Sequence, residues 1–130
     1  MLSSLPTLLA ACIVLGLVHI TLASLLVTAS RGAAWNAGNR DGEAPPVSPR
    51  AGRAQRASAN FLETFPLFAA ALVCAIAVGR QGYLVVLGAQ IYFWARLVYL
   101  PVYVIGIPFL RSAIWIAATA GLLMVVVALL

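Results

Sequence analysis

The stretch RASANFLETFPLF, residues 56–68, carries an arginine, an asparagine and a glutamate into an otherwise apolar run. Arg56, Asn60 and Glu63 stand at i, i+4 and i+7, so on a helix all three share one face. Pro66 follows three residues after Glu63 and frees the carbonyl of Leu62 from its usual partner, a place where the helix can bend. Two readings of the polar face are open. The side chains form a ladder, Arg56 to Asn60 to Glu63, that ties the helix into a bundle. Or they hold a zwitterionic ligand, with Arg offering a forked donor to a carboxylate, Glu accepting from an ammonium, and Asn able to do both.

The solvent around this helix follows from composition. The chain has 130 residues, of which 64% are hydrophobic and only 8% charged, and its mean hydropathy is +1.06. Soluble domains hold about 45–50% apolar residues, so this chain belongs in lipid. Four apolar segments emerge, at about 5–29, 61–79, 83–103 and 112–130. At roughly 1.5 Å per residue the shortest nearly crosses a hydrocarbon core of about 30 Å. Backbone groups in lipid must be satisfied within their own segment, so all four are helices. The expected fold is therefore an all-α membrane protein, a single four-helix domain over residues 1–130. The first segment is too long for a signal peptide and has no basic residue before it, so it counts as a span.

All eight basic residues are arginine, which with abundant Ala, Gly and Val points to a GC-rich, bacterial genome. Five of them lie between Arg31 and Arg56, in or beside a polar stretch, 30–55, rich in Gly, Pro and Arg and expected as a loop. The second connection is the tight GRQG at 79–82, and the third is short, with Pro108 placed to open the last helix. Alternation puts Arg31, Arg40, Arg50, Arg53, Arg56 and Arg111 on one side and Arg80 alone on the other. The positive-inside rule makes the arginine-rich side cytoplasmic, with both termini periplasmic in a bacterial inner membrane. Arginines beside spans set orientation and meet anionic head groups, so the net charge of +5 is no nucleic-acid footprint. Cys12 and Cys74 stand alone in apolar runs, and no Cys/His cluster offers a metal site.

A second polar face lies in YFWARLVYLPVY, residues 92–103, where Arg96, Tyr99 and Tyr103 stand at i, i+3 and i+7. Tyrosines gather at membrane interfaces without any catalytic role, but Arg96 lies well inside its span. A charge at that depth costs roughly 2.5–3.5 kcal/mol on insertion scales, so it faces protein or water. Two polar faces at one depth suggest a shared pocket. Arg111 and Ser112 open the last helix on the same side, where an arginine can also simply reach lipid phosphate. His19, alone in the first helix, reads as a hydrogen-bonded structural histidine ahead of a proton relay.

RAQRASANFLETFPLF and ARLVYLPVY together resemble the signatures of the MAPEG family, the membrane-associated proteins in eicosanoid and glutathione metabolism. That family carries Arg-x-x-x-Asn-x-x-Glu and an aromatic-Pro pair in its second helix, then Ala-Arg followed by tyrosines in its third. The resemblance covers essentially the whole chain and implies a homotrimer with sites between neighbouring subunits, open to cytoplasm and membrane. It implies glutathione as co-substrate, no metal, membrane lipid and a lipophilic small molecule as partners, and no nucleic acid. Carried over residue by residue, Arg31, Arg56, Asn60, Glu63, Arg96, Tyr99 and Tyr103 would bind glutathione, with Arg111 and Tyr99 catalytic. Placing Arg111 on the family's thiolate-stabilising arginine needs a one-residue gap. Ser58 and Thr64 depart from the eicosanoid synthases and argue against either of those specific activities.

The function so implied is a glutathione transferase or peroxidase acting on lipophilic electrophiles or lipid hydroperoxides. A non-catalytic lipid-binding scaffold of the same family is the alternative. A small proton-coupled multidrug exporter also has four short helices and one membrane glutamate. Such an exporter would want an isolated, deeper carboxylate than Glu63, which has a basic neighbour on its own face.

Overall fold

The computed structural model describes residues 4–130, and every regular element among them is helical. Helix α1 runs Leu5–Arg31, α2 is a single short turn at Ala33–Ala37, and α3 runs Pro49–Ala77. Helices α4, Tyr83–Ile105, and α5, Pro108–Val127, complete the chain. Helices α1, α3, α4 and α5 are each long and apolar enough to cross a membrane. Large apolar side chains such as Leu17, Leu25, Leu67, Trp94 and Ile116 stand exposed along them, the surface expected of helices bathed in acyl chains.

Local chemistry sets the helix ends. Ser4 caps α1 by accepting from the Thr7 N–H at 3.3 Å, and Pro6 occupies its first turn. Ser48 caps α3 in the same way from Ala51 N–H at 3.1 Å, with Pro49 next. This start overturns the expected one near residue 61: the 30–55 stretch is not all loop, since it holds α2 and the opening turns of α3. Hydropathy alone missed the extension because its outward residues are Arg50, Arg53 and Arg56. Its inward residues Ala51, Ala54 and Ala57, one turn apart, are fully buried. The last helix begins at Pro108, where that proline was expected to open it, and ends at Val127, whereas the apolar run was placed at 112–130. Gly106, at φ 96°, ends α4 in the left-handed region that favours glycine, leaving a two-residue link to α5.

Helices α3 and α4 form the centre. Helix α1 packs on both from one side and α5 on both from the other, while α1 and α5 do not meet. The core is continuous from Leu8, Cys12 and Leu15 through Phe61, Phe68 and Leu72 to Tyr92, Ala118 and Val125. The Phe68 and Tyr92 rings stack with centroids 3.9 Å apart. Helix α4 meets α5 most closely at Gly88 and Gly121. A Cβ on Gly88 would lie 2.6 Å from the Gly121 carbonyl oxygen, and one on Gly121 equally close to that of Gly88. Only hydrogen fits there, and this backbone-to-backbone approach substitutes for hydrophobic driving force in lipid.

Arginines fasten the helix ends. Arg53 Nε donates to the Val104 carbonyl at 2.9 Å, holding the C-terminus of α4 against the start of α3. At the opposite end Arg80 donates to the carbonyls of Ala128 and Leu129. His19 is fully buried and stacks on Phe61 at 4.7 Å. The expected hydrogen bond does not form: neither ring nitrogen has a hydrogen-bond partner among the described residues.

Candidate functional site

The two polar faces converge, on α3 and α4, at the end of the bundle that carries α2 and the α4–α5 link. Their junction is Arg96, 0% exposed. Its Nη1 donates to Asn60 Oδ1 at 2.7 Å and its Nη2 to Thr64 Oγ1 at 2.6 Å. Thr64 in turn shares a 3.1 Å hydrogen bond with the Tyr92 hydroxyl. The guanidinium carbon sits 5.6 Å from the Tyr92 ring centre and 5.2 Å from that of Tyr99, within range of the ring quadrupoles. A buried charge is tolerated when its protons are donated to fixed oxygens, and here α3 supplies both.

In front of this network lies a cavity of about 480 Å³ among α3, α4 and α5. Arg56, Asn60 and Glu63 come from α3, Tyr99 and Tyr103 from α4, and Arg111, Ser112 and Trp115 from α5. A smaller hollow of about 200 Å³ adjoins it, sharing Arg56, Tyr103 and Arg111 and reaching Arg53 and Gly106. The Arg111 guanidinium lies 4.7 Å from the centre of the Tyr103 ring. That ring stands edge-on to Tyr99 at 5.4 Å. Thus α5 brings its arginine to the cavity, and an aromatic face holds it there.

The ladder along α3, one of the two readings of this face, does not form. The Arg56 and Glu63 side chains make no hydrogen bond or ion pair with any described residue, and Asn60 turns to Arg96 on the next helix. Most arginines elsewhere behave differently: Arg31 donates to the Pro45 carbonyl at 2.8 Å, Arg40 to that of Asn36, and Arg53 and Arg80 to helix ends, while exposed Arg50 also makes no hydrogen bond with a described residue. Arg56 and Glu63 thus face the cavity with no hydrogen-bond partner on the protein, while Arg111 rests on the Tyr103 ring. Arg56, Asn60, Glu63, Tyr99, Tyr103 and Arg111 are thereby brought together, as the spacing suggested.

Two expected site residues are not on its walls. Arg96 sits behind Asn60, shut off from solvent, with its two terminal nitrogens spent on Asn60 and Thr64 and its Nε buried without a partner among the described residues. Arg31 ends α1, which does not touch α5, and its guanidinium is engaged with the loop. Besides Ala59, two wall residues escaped the sequence reading, Trp115 and Ile116. Each lies one turn beyond a polar partner, Arg111 and Ser112, so the i, i+4 stripe at the start of α5 was the available signal.

Among the described residues no group of three or more His, Cys, Asp or Glu side chains could hold a metal ion. A family model described as the MAPEG family matches residues 8–130. No curated protein and no solved structure matches the chain.

Proposed function

Since the chain belongs to the MAPEG family, which includes glutathione transferases and related proteins, we propose that it is a membrane-bound glutathione transferase or peroxidase. Its substrates are lipophilic electrophiles or lipid hydroperoxides, and the reactive species is the activated glutathione thiol. One observation carries this reading: a single cavity gathers Arg56, Asn60, Glu63, Tyr103 and Arg111, with the charges of Arg56 and Glu63 unspent on the protein itself. Glutathione presents two carboxylates, an ammonium and a thiol, and the walls offer a complement to each kind.

In this reading Arg56 takes a carboxylate and Glu63 the ammonium. Arg111, backed by the Tyr103 ring, faces the sulfur. A free thiol of pKa about 8.5 is only a few per cent thiolate at neutral pH. Holding it two units lower takes about 2.7 kcal/mol of preferential thiolate stabilisation. One guanidinium in a partly dry cavity, with a tyrosine hydroxyl beside it, is of the right order. The thiolate then attacks the electrophilic carbon of the second substrate, adding to it or expelling its leaving group. With a hydroperoxide it attacks the peroxide oxygen, the O–O bond breaks and an alcohol leaves after protonation. The glutathione sulfenic acid so formed is reduced by a second glutathione to disulfide and water. The second substrate arrives past Trp115 and Ile116, which are exposed on the lipid-facing side of α5.

The protein acts as a homotrimer in the inner membrane of a bacterium, with both termini periplasmic and the arginine-rich end cytoplasmic. Arg31 enters this scheme only across a subunit boundary, since its own cavity lies beyond its reach. The test is a titration of the detergent-solubilised protein with glutathione, following ultraviolet thiolate absorbance beside Arg111→Ala and Arg56→Ala. Thiolate in wild type, lost in Arg111→Ala, supports an activated-thiol enzyme. Absence of both signal and binding at millimolar glutathione would sink it and favour a lipid-binding role within the same family.

A further inference from the structure

Resting on the glutathione reading of the cavity, we infer that Arg96 is a positioning residue that fixes the polarity of Asn60, making its amide an obligate donor toward the ligand. A guanidinium has five N–H donors, no acceptor, and no accessible neutral form. The Asn60 atom 2.7 Å from Arg96 Nη1 is therefore its carbonyl oxygen. Turning the amide over would set its NH2 against the guanidinium, two donors at hydrogen-bond distance with nothing between them.

Arg96 cannot step aside to permit that turn. Its second terminal nitrogen is spent on Thr64, its guanidinium carbon lies 5.6 Å from the Tyr92 ring centre and 5.2 Å from that of Tyr99, and the residue is wholly enclosed. Meanwhile Asn60 Nδ2 has no acceptor among the described residues and is not sealed in the interior, on a residue that lines the cavity. The atom of a ligand opposite Asn60 must accordingly be an acceptor, a carboxylate or a peptide carbonyl. An ammonium is refused there and is left to Glu63, one turn further along α3. The direction in which an asymmetric tripeptide lies in the cavity thus follows from a residue it never touches.

Glutathione binding to the intact, solubilised protein tests this, read by isothermal titration and by thermal unfolding. Asn60→Asp keeps the oxygen that accepts from Arg96 but has no donor. Unfolding should match or exceed wild type while affinity falls about tenfold or more, the usual loss for a missing ligand hydrogen bond. Asn60→Leu should lose affinity to a similar extent and stability as well, which separates the missing donor from the added charge of aspartate. Arg96→Lys, still a pure donor, should retain most of the affinity that Arg96→Gln loses, because a glutamine can accept from an inverted amide. Wild-type affinity in Asn60→Asp would overturn the inference while leaving the glutathione reading intact. No binding by wild type would overturn both.

Discussion

Helix α4 has two seams of opposite character. Against α5, at Gly88 and Gly121, it is dry and so tight that no side chain intervenes. Against α3, around Arg96, it is polar, joined by hydrogen bonds between side chains 32 and 36 residues apart in the chain. The difference shows how one helix can be both anchor and wall. Glycines near one end hold the pair together without chemistry, so that tyrosines near the other end can stand away from α5 and leave a cavity.

The dry seam is the one to break first. Gly88→Val places carbon where the Gly121 carbonyl oxygen already lies, and backbone cannot yield as a side chain can. Thermal unfolding in detergent should show a loss of about 3 kcal/mol or more, the upper range for overpacking, and any loss of ligand binding should follow from unfolding. Arg111→Ala should do the reverse. Its guanidinium rests only on the Tyr103 ring, a contact worth about 0.5–2 kcal/mol. Stability should therefore change little while glutathione turnover falls about 100-fold or more, the scale seen when one stabilising donor is removed from a reaction centre.

Glu63→Gln sharpens the contrast within the polar seam. Glu63 makes no hydrogen bond or ion pair with any described residue, but its charge favours the buried Arg96 guanidinium, so its neutralisation should cost a little stability and weaken glutathione binding about tenfold, near 1.4 kcal/mol. Smallest of all, Arg53→Leu removes the cap on the Val104 carbonyl and should cost about 1 kcal/mol of stability. Binding should hold until the end of α4 frays.

How far these seams could be read from the chain alone varies with their physics. Hydropathy over long windows located all four long helices, because lipid leaves apolar runs no other structure. It misplaced the start of α3, whose first turns are amphipathic; the Ser48–Pro49 cap was present but carries less weight than composition. The spacing of Arg56, Asn60 and Glu63 identified a common face, and the structure does turn these residues to one cavity. Arg96 shows the limit of that method. Periodicity says which residues share a side of a helix, not whether that side meets a ligand or another side chain. The bond from Arg96 to Asn60 joins two helices and has no local signature. The Gly88–Gly121 contact is equally silent in sequence, two glycines 33 positions apart in chains of apolar residues.

The unpaired state of the cavity arginines has a consequence at long range. Arg56, Arg111 and, just behind the wall, Arg96 face a single carboxylate, Glu63, which leaves an excess of two positive charges around a space partly walled by low-dielectric protein. Such a hollow concentrates field lines and draws anions before any contact is made. Glutathione carries one net negative charge, and its thiolate form two. Capture should therefore weaken as ionic strength rises and the screening length shrinks from about 30 Å at 0.01 M to about 8 Å at 0.15 M. Under the proposed glutathione reading, release follows the same balance: a thioether product, which has lost the sulfur's charge, is held by one fewer attraction than the thiolate formed in the cavity.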